Sequence, residues 1–352
     1  MNRINRFKPM ARQPHTLGRP QLHRFVRQHM ENTMTNSWFV RREECPACTS
    51  LSFATIYQSR YDRPPIKDYL VDFYSPQGMV ESEYLEGATY VLRECGVCGL
   101  IYQRDVPNKL LMERIYEHWI DPKKVFVRHL SQDGLEKYSY YAQEIMQIIS
   151  YIGKMPSEVS VFDFGMGWGK WALMAKAFGC DSFGLEFSIE RIQYAKGNGI
   201  KVINWDEIPK YRFDFINTEQ VFEHLQDPLQ TLRHLSSGLR TNGILKISVP
   251  GVNDIRRRLK IMDWSSPKGS KYSLNPVAPL EHINYFRRQS LVQMATQASL
   301  EETIIPIKIQ YKYLTDWHKA KRILGNLFSP LYRNIIKKQN YILLRKINSG
   351  RD

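Results

Sequence analysis

Val161-Phe-Asp-Phe-Gly-Met-Gly-Trp-Gly169 decides the fold of this 352-residue chain. Val159–Phe164 is a short apolar run of the kind that fills a buried strand. It breaks into glycines at 165, 167 and 169, which let the backbone turn sharply and approach a ligand closely. Lys170–Phe178 follows as a helix, whose first turn leaves backbone N–H groups unpaired. A dinucleotide fingerprint, G-x-G-x-x-G, would place its third glycine where Lys170 stands. Instead an acid, Asp163, precedes the first glycine by two positions. A buried carboxylate there repels a pyrophosphate and suits the cationic amino-acid end of a sulfonium cofactor.

Downstream the alternation repeats. Ser182–Glu186 reads as strand, and Ile189–Lys196 as helix closed by Gly197-Asn-Gly199. Lys201–Asn204 and Phe213–Asn217 read as strands. Asp227–Leu239 reads as helix, with Asp227 as N-cap and Pro228 in its first turn. Gly243–Val249 is a strand stopped by Pro250-Gly251, and Gln289–Ala298 is a helix. Thr303–Ile309 and Asn340–Ile347 complete the strands. This order predicts an α/β fold: a Rossmann-like, doubly wound, mostly parallel seven-stranded sheet. Ligands in such sheets bind beyond the carboxyl ends of the strands. Glu186 stands at one of those ends, 23 residues past Asp163, where a carboxylate can accept hydrogen bonds from both hydroxyls of a ribose. An ordinary exposed strand-end acid is the bland alternative.

Asp163-x-Gly165-x-Gly167-x-Gly169, Glu186 and Phe213-Asp-Phe-Ile-Asn-Thr-Glu-Gln-Val-Phe-Glu-His-Leu225 together resemble the class I SAM-dependent methyltransferase superfamily. The resemblance covers about 150–305 and the strand at 340–347. It implies that the glycine loop, with Asp163, holds the methionine end of S-adenosylmethionine and that Glu186 binds its ribose. It also implies that Trp205, Asp206 and Glu207 reach the adenine, and that the segment from Asn217 to Gln220 closes the pocket.

Glu223-His224 follows the fourth strand, beside the expected methyl group. Methyl transfer depends first on alignment, which supplies up to about 7–11 kcal/mol. A positioned base adds about 10²–10⁴-fold where the acceptor must lose a proton. Histidine suits that task because its pKa lies near neutrality. His224 is therefore a candidate base, with the holding of a loop through its ring nitrogens as the competing role. Pro279-Leu-Glu-His-Ile-Asn-Tyr-Phe286 resembles a Glu-His-x-x-x-Phe segment of related methyltransferases and offers His282 and Tyr285 to the substrate. A satisfied loop histidine and a packed aromatic are the alternatives.

Cys45-Pro-Ala-Cys48 and Cys95-Gly-Val-Cys98-Gly99 are two knuckles spaced to grip Zn²⁺ in a closed, structural four-cysteine site. A redox CxxC is the rival, and two pairs favour the metal. Cys180 reads as a small core residue. The whole layout resembles methyltransferases with an N-terminal zinc lobe, including sugar-nucleotide C-methyltransferases. In that group the lobe shapes the substrate pocket, and a Glu-His pair with a nearby tyrosine does proton chemistry. Two departures stand out: Val221 where that tyrosine is sought, and a basic helical insertion near 310–339 in place of a second large domain.

The predicted organisation is a flexible basic arm (1–36), a zinc-ribbon-like lobe (37–105), a helical connector (106–155) and a methyltransferase domain (156–352). Within the lobe, Ala88–Arg93 reads as a strand, and Pro64-Pro65 and Pro76-Gln-Gly78 read as turns. In the connector, Leu135, Tyr138, Tyr141, Ile145, Ile148, Ile149 and Ile152 recur at helical spacing. The net charge of +15 lies wholly in the two ends, +6 over residues 1–36 and +9 over 304–352. No apolar run approaches the roughly 18 residues of a membrane span, and no secretory signal is legible, which points to a cytoplasmic protein. Three functions stay open, in this order. The first is methyl transfer to a small-molecule, sugar or glycan acceptor. The second is an RNA methyltransferase gripping phosphates with its basic ends. The third is a non-catalytic binding protein of the same fold. Peripheral membrane contact through the tails is a further option.

Overall fold

Apolar runs bounded by glycine and proline become strands, and amphipathic runs become helices, in a computed structural model. It describes residues 38–76, 78–120, 134–251, 254–314, 328, 330 and 341–347. In chain order the first elements are β1 (Phe39–Arg41), β2 (Phe53–Arg60), α1 (Ile66–Tyr74), β3 (Thr89–Cys95), β4 (Ile101–Gln103), β5 (Asp105–Pro107), α2 (Lys109–Arg114) and α3 (Leu135–Ile152). Next come β6 (Ser160–Phe164), α4 (Lys170–Ala177), β7 (Asp181–Leu185), α5 (Ile189–Gly197), β8 (Lys201–Val202) and β9 (Phe213–Glu219). The last are α6 (Pro228–Ser237), β10 (Leu239–Ser248), α7 (Ile255–Ile261), β11 (Asn284–Tyr285), α8 (Arg288–Gln297), β12 (Leu300–Thr303), α9 (Ile307–Lys312) and β13 (Tyr341–Lys346).

The central sheet has seven strands in the order β12-β13-β10-β9-β6-β7-β8. Strands β6 to β10 pair in parallel, and β13 runs against both β10 and β12. Strand alternation serves the two faces. Val161 of β6 and Phe215 of β9 meet Tyr141, Ile145 and Ile148 of α3 on one side. Phe162 and Ile216 meet Leu232 and Leu235 of α6 and Met294 of α8 on the other. The chain leaves β6 toward β7 and returns to β9 on its far side. That reversal opens a crevice at the carboxyl ends of β6 and β9, where the glycine loop and Glu223-His224 both emerge.

The cysteine lobe is an antiparallel sheet ordered β11-β4-β3-β2, beside a β1–β5 pair. Its edge strand, β11, comes from far downstream: Asn284 pairs with Tyr102 and Tyr285 with Ile101. The lobe's sheet is thus completed by the chain that follows the central strands.

Some elements differ from the sequence reading. Thr303–Ile309 is not one strand: β12 ends at Thr303, and after Pro306 the chain turns into α9. Asp227 occupies the N-cap of α6 without a side-chain cap bond, and Pro228 opens the helix as expected. Pro64-Pro65 leads into α1, whose buried Ile66, Leu70 and Tyr74 recur every four residues. In α3 the buried stripe begins at Tyr141, and Leu135 is 84% exposed. The basic arm read over 1–36 and most of the insertion read over 310–339 lie outside the described residues. Among the described residues, no helix is long and apolar enough to cross a membrane.

Candidate active site

The loop after β6 turns through Gly165 (φ +69°) and Gly167 (φ +56°), in the left-handed region that glycine reaches without strain. A Cβ on Gly165 would stand 2.7 Å from Val221 Cγ2, so the loop packs directly against the segment carrying Glu223-His224. A Cβ on Gly167 would meet open space. Glu186 borders that space. Its Oε2 accepts the Gly167 N–H at 2.9 Å, and its Oε1 accepts the N–H groups of Phe187 and Ser188 at 2.9 and 3.1 Å. Arg191 stands 3.7 Å from Oε2. The carboxylate is thereby turned onto the glycine loop. Beside it Phe187 and Ile189 are 81% and 72% exposed, an apolar rim that the sequence reading does not single out.

Asp163 and Asn217 lie side by side across the β6–β9 ladder. The buried Asp163 carboxylate accepts a hydrogen bond from Asn217 Nδ2 at 2.8 Å, and burial pushes its pKa up to about 7. Asn217 Oδ1 is buried without a hydrogen-bond partner among the described residues. Farther along, Trp205 stacks on His234 with centroids 4.0 Å apart, and Glu207 caps its own short helix by accepting the Asn204 N–H. Asp206 is the exposed acid of that trio.

At the end of β9 the chain passes through Gln220 (φ +56°), a strained conformation for a residue with a side chain. It then forms the single turn Phe222–His224. Glu223 is 1% exposed, and neither carboxylate oxygen has a hydrogen-bond partner among the described residues; burial pushes its pKa up to about 8. His224 donates Nδ1–H to the Glu281 carbonyl at 2.8 Å, and His282 donates Nδ1–H to the Asn275 carbonyl at 2.6 Å. The rings meet edge to face at 4.9 Å. Burial lowers both pKa values, to about 4 for His224 and about 3 for His282, so both are neutral near pH 7. Tyr285 is buried in β11 within the lobe's apolar core. Another tyrosine carries no signal in the sequence: Tyr116, in the π-helical turn after α2, is 43% exposed. Its hydroxyl lies within electrostatic reach of Glu281, Glu223 and Glu186; loss of water and then these carboxylates hold its pKa up.

A family profile described as a methyltransferase domain matches residues 137–303. Among curated proteins nothing matches. Similar solved structures include PKMT2 from Rickettsia typhi in complex with AdoHcy, at 17% identity and TM-score 0.37, over 60% of this chain and 54% of that one. A SAM-dependent methyltransferase from Archaeoglobus fulgidus aligns at 16% identity and TM-score 0.34, over 67% and 99% of the two chains. The plantazolicin methyltransferase BpumL with SAH aligns at 16% identity and TM-score 0.38, over 67% and 94%. The chain spans about half the length of the PKMT2 chains it matches. Residues 137–303 thus match a methyltransferase-domain profile over just under half of the chain, on an α/β sheet of Rossmann-like fold. The hollow fits the cofactor which that fold implies. Space stands open over Gly167, a carboxylate borders it, and the buried amide oxygen of Asn217 lacks a partner among the described residues.

The cysteine lobe is tied to the central α/β sheet's crevice through Arg42, three residues before Cys45. This buried guanidinium donates to the Gln103 carbonyl from Nε and Nη2, to the Ile283 carbonyl from Nη2, and to Asn284 Oδ1 from Nη1 at 2.7 Å. Asn284 Nδ2 in turn donates to the carbonyls of Phe222 and Leu225, at 3.1 and 2.6 Å. The Glu223-His224 turn is thus clamped by a chain of bonds reaching Arg42, which sits three residues from Cys45. All four thiols are buried and free of disulfides. Sγ atoms of Cys45 and Cys98 are 3.6 Å apart, as are those of Cys48 and Cys95, and all four lie within 4.8 Å of one another. Tetrahedral Zn²⁺ with bonds of about 2.3 Å sets sulfurs about 3.8 Å apart, so the cluster fits such an ion. The N–H groups of Val97 and Cys98 point at Cys95 Sγ, a charge-stabilising arrangement for a thiolate.

Proposed function

We propose that the protein binds S-adenosylmethionine over the Gly165–Gly169 loop. Its methyl group then passes to a small, hydroxyl-bearing acceptor of the sugar or glycan class, held between the methyltransferase domain and the cysteine lobe. The observation that carries the reading is the Gly167–Glu186 hydrogen bond beside open space. Glu186 is assigned to the ribose hydroxyls, and Asp163 with Asn217 to the amino-acid end. Asp206 and the exposed Phe187 are assigned to the adenine. When bound, the cofactor supplies an electrophilic methyl group on a sulfonium.

The chain's own residues do the rest. The clamp of Arg42 and Asn284 fixes the Glu223-His224 turn, and fixed alignment is the main lever on an in-line displacement. With His224 Nδ1 committed to a carbonyl, Nε2 is the nitrogen left to receive a proton. With the cofactor bound, His224 Nε2 would take the proton that the acceptor's nucleophilic atom gives up and pass it to solvent. His282, Tyr116 and Glu281 bring hydrogen-bonding groups to the same corner, which supports a polar acceptor. Four thiolates hold Zn²⁺ as a closed structural site, and its work is to keep the lobe and its clamp in place. An RNA acceptor draws its support from the basic ends, most of which fall outside the described residues.

Calorimetry with S-adenosylmethionine on zinc-loaded protein tests the reading. Binding is expected, and Glu186→Ala should weaken it at least about tenfold, since a hydrogen bond to a charged group contributes about 1.5–3 kcal/mol. Unchanged affinity in Glu186→Ala would remove the ribose assignment, and no binding by the native chain would remove methyl transfer altogether.

A further inference from the structure

Glu223 poses a problem that hydrogen bonding within the protein does not solve. Its carboxylate is 1% exposed with both oxygens unpartnered among the described residues, and such a group is costly unless a cation or a donor reaches it. The neighbours are two imidazoles, not donors aimed at it. His224 and His282 each donate Nδ1–H to a backbone carbonyl, which fixes the tautomer and leaves Nε2 as a lone pair. That is the state in which histidine binds a metal, and the carbonyl partner is the customary second contact of a ligating ring. One ligand atom from each of Glu223, His224 and His282 lies within 4.8 Å of the other two, and His224 Nε2 is 3.8 Å from Glu223 Oε1. Shifts of under about 1 Å bring three such atoms onto one ion at bond lengths of about 2.0–2.2 Å.

We propose that Glu223, His224 and His282 bind a divalent first-row transition ion, whose open positions take oxygen atoms of the acceptor. Two imidazoles and one carboxylate on one side of an ion make a three-ligand site of the catalytic kind, with room for substrate. Lys268 is the cation in electrostatic reach of the histidines, and the carboxylate of Glu281 lies within its reach in turn. The role for the acceptor rests on the methyl-transfer reading. An acceptor hydroxyl on the ion loses its proton to solvent water, and its oxygen then forms the new bond to the methyl carbon while the carbon–sulfur bond breaks. No change of oxidation state is involved. Without the ion His224 Nε2 is the proton acceptor of the proposed function; with the ion in place both Nε2 lone pairs are used in coordination and the acceptor's proton goes to solvent water.

The test uses full-length protein carrying one zinc per chain, so that the thiolate site is filled and the histidine–carboxylate site stays open, and Mn²⁺, an ion that favours oxygen donors and leaves a thiolate site alone. Titration followed by electron paramagnetic resonance should show one Mn²⁺ bound per chain. Glu223→Gln and His282→Gln should each weaken it at least about tenfold. Zinc content and S-adenosylmethionine affinity should stay unchanged, which certifies the fold. Mn²⁺ should also raise the melting temperature of the native chain and not that of Glu223→Gln. No Mn²⁺ binding by the native chain, or equal binding by both variants, would overturn the site. Mn²⁺ binding without S-adenosylmethionine binding would sink the methyl-transfer reading and leave the metal site standing.

Discussion

The buried four-cysteine knot and the part-buried Glu223–His224–His282 corner are both clusters of groups that can bind a metal, yet they are built for opposite ends. The knot offers four soft thiols that close a tetrahedron on themselves, with backbone N–H groups behind Cys95. Nothing remains for a substrate. The corner offers three harder atoms, and its histidines are held by carbonyls of the 275–281 loop. The first arrangement suits stability and the second suits chemistry. Arg42 and Asn284 join them, so that the inert cluster sets the frame in which the open one sits.

Breaking the knot should have the largest effect. Structural zinc contributes apparent binding energies of about 10–16 kcal/mol, comparable with or above the roughly 5–15 kcal/mol that holds a typical domain together. Cys95→Ser, or stripping with a strong chelator, should therefore abolish zinc retention, lower the melting temperature and collapse the near-ultraviolet circular dichroism of the lobe's packed tyrosines. Methyl transfer should go with it, because the clamp on Glu223-His224 loses its anchor. A weak chelator that takes only Mn²⁺ should leave that signal intact. If the Cys95→Ser lobe melts and absorbs like the native one, the contrast between a structural and a chemical cluster fails.

Cutting the link between the clusters should cost less and read out differently. Asn284→Ala removes a buried side chain that accepts from Arg42 and donates to two carbonyls. Leaving a buried charge without its partner costs on the order of 1–3 kcal/mol or more. We expect a destabilisation of that order, a fall in kcat for methyl transfer, and an unchanged Kd for S-adenosylmethionine, whose hollow lies on β6 and β7. Asn284→Asp, which keeps an acceptor for Arg42 and loses the donor, should recover the stability before it recovers the rate. Equal losses in both variants would demote the link to ordinary packing.

Sequence and structure diverge along the same line. The central strands are legible because β6 and β9 carry apolar residues on both faces and Gly165 marks the end of β6. Strand β12 is misplaced in the sequence reading because it is an edge: Glu301 pairs with Arg345 across to β13, and the charges that guard it erase its apolar signal. The cysteine pairs are legible from spacing alone. The corner is not legible as a unit, since Glu223 and His282 are 59 residues apart and meet only when β11 completes the lobe's sheet. Arg42 carries no signal at all; beside Arg41, Glu43 and Glu44 it reads as surface, and only the fold shows it buried. Tyr116 hides in the same way, because it lies in a short turn ahead of Leu135–Ile152, the stretch of the connector whose periodicity is legible.

The smallest expected effect compares two buried acids. Asp163 has a donor, Asn217, where Glu223 has none among the described residues, and its pKa nevertheless rises to about 7 because burial outweighs that one bond. In the unfolded chain the same carboxyl ionises near 3.8. Between those values the folded protein holds a proton that the unfolded chain has given up. Stability contributed by Asp163 is therefore full at low pH and declines as pH rises toward 7. A ligand whose ammonium group meets Asp163 reverses the slope, because it favours the ionised form and expels the proton. S-adenosylmethionine should bind up to about tenfold more tightly at pH 8 than at pH 6, as the ionised fraction goes from about one-tenth to about nine-tenths. Calorimetry in buffers of differing ionisation enthalpy should record the proton released at pH 6. Asp163→Asn should flatten that dependence without touching Mn²⁺ binding. A pH-independent affinity would place the amino-acid end of the cofactor away from Asp163, and would make the buried carboxyl a structural partner of Asn217 alone.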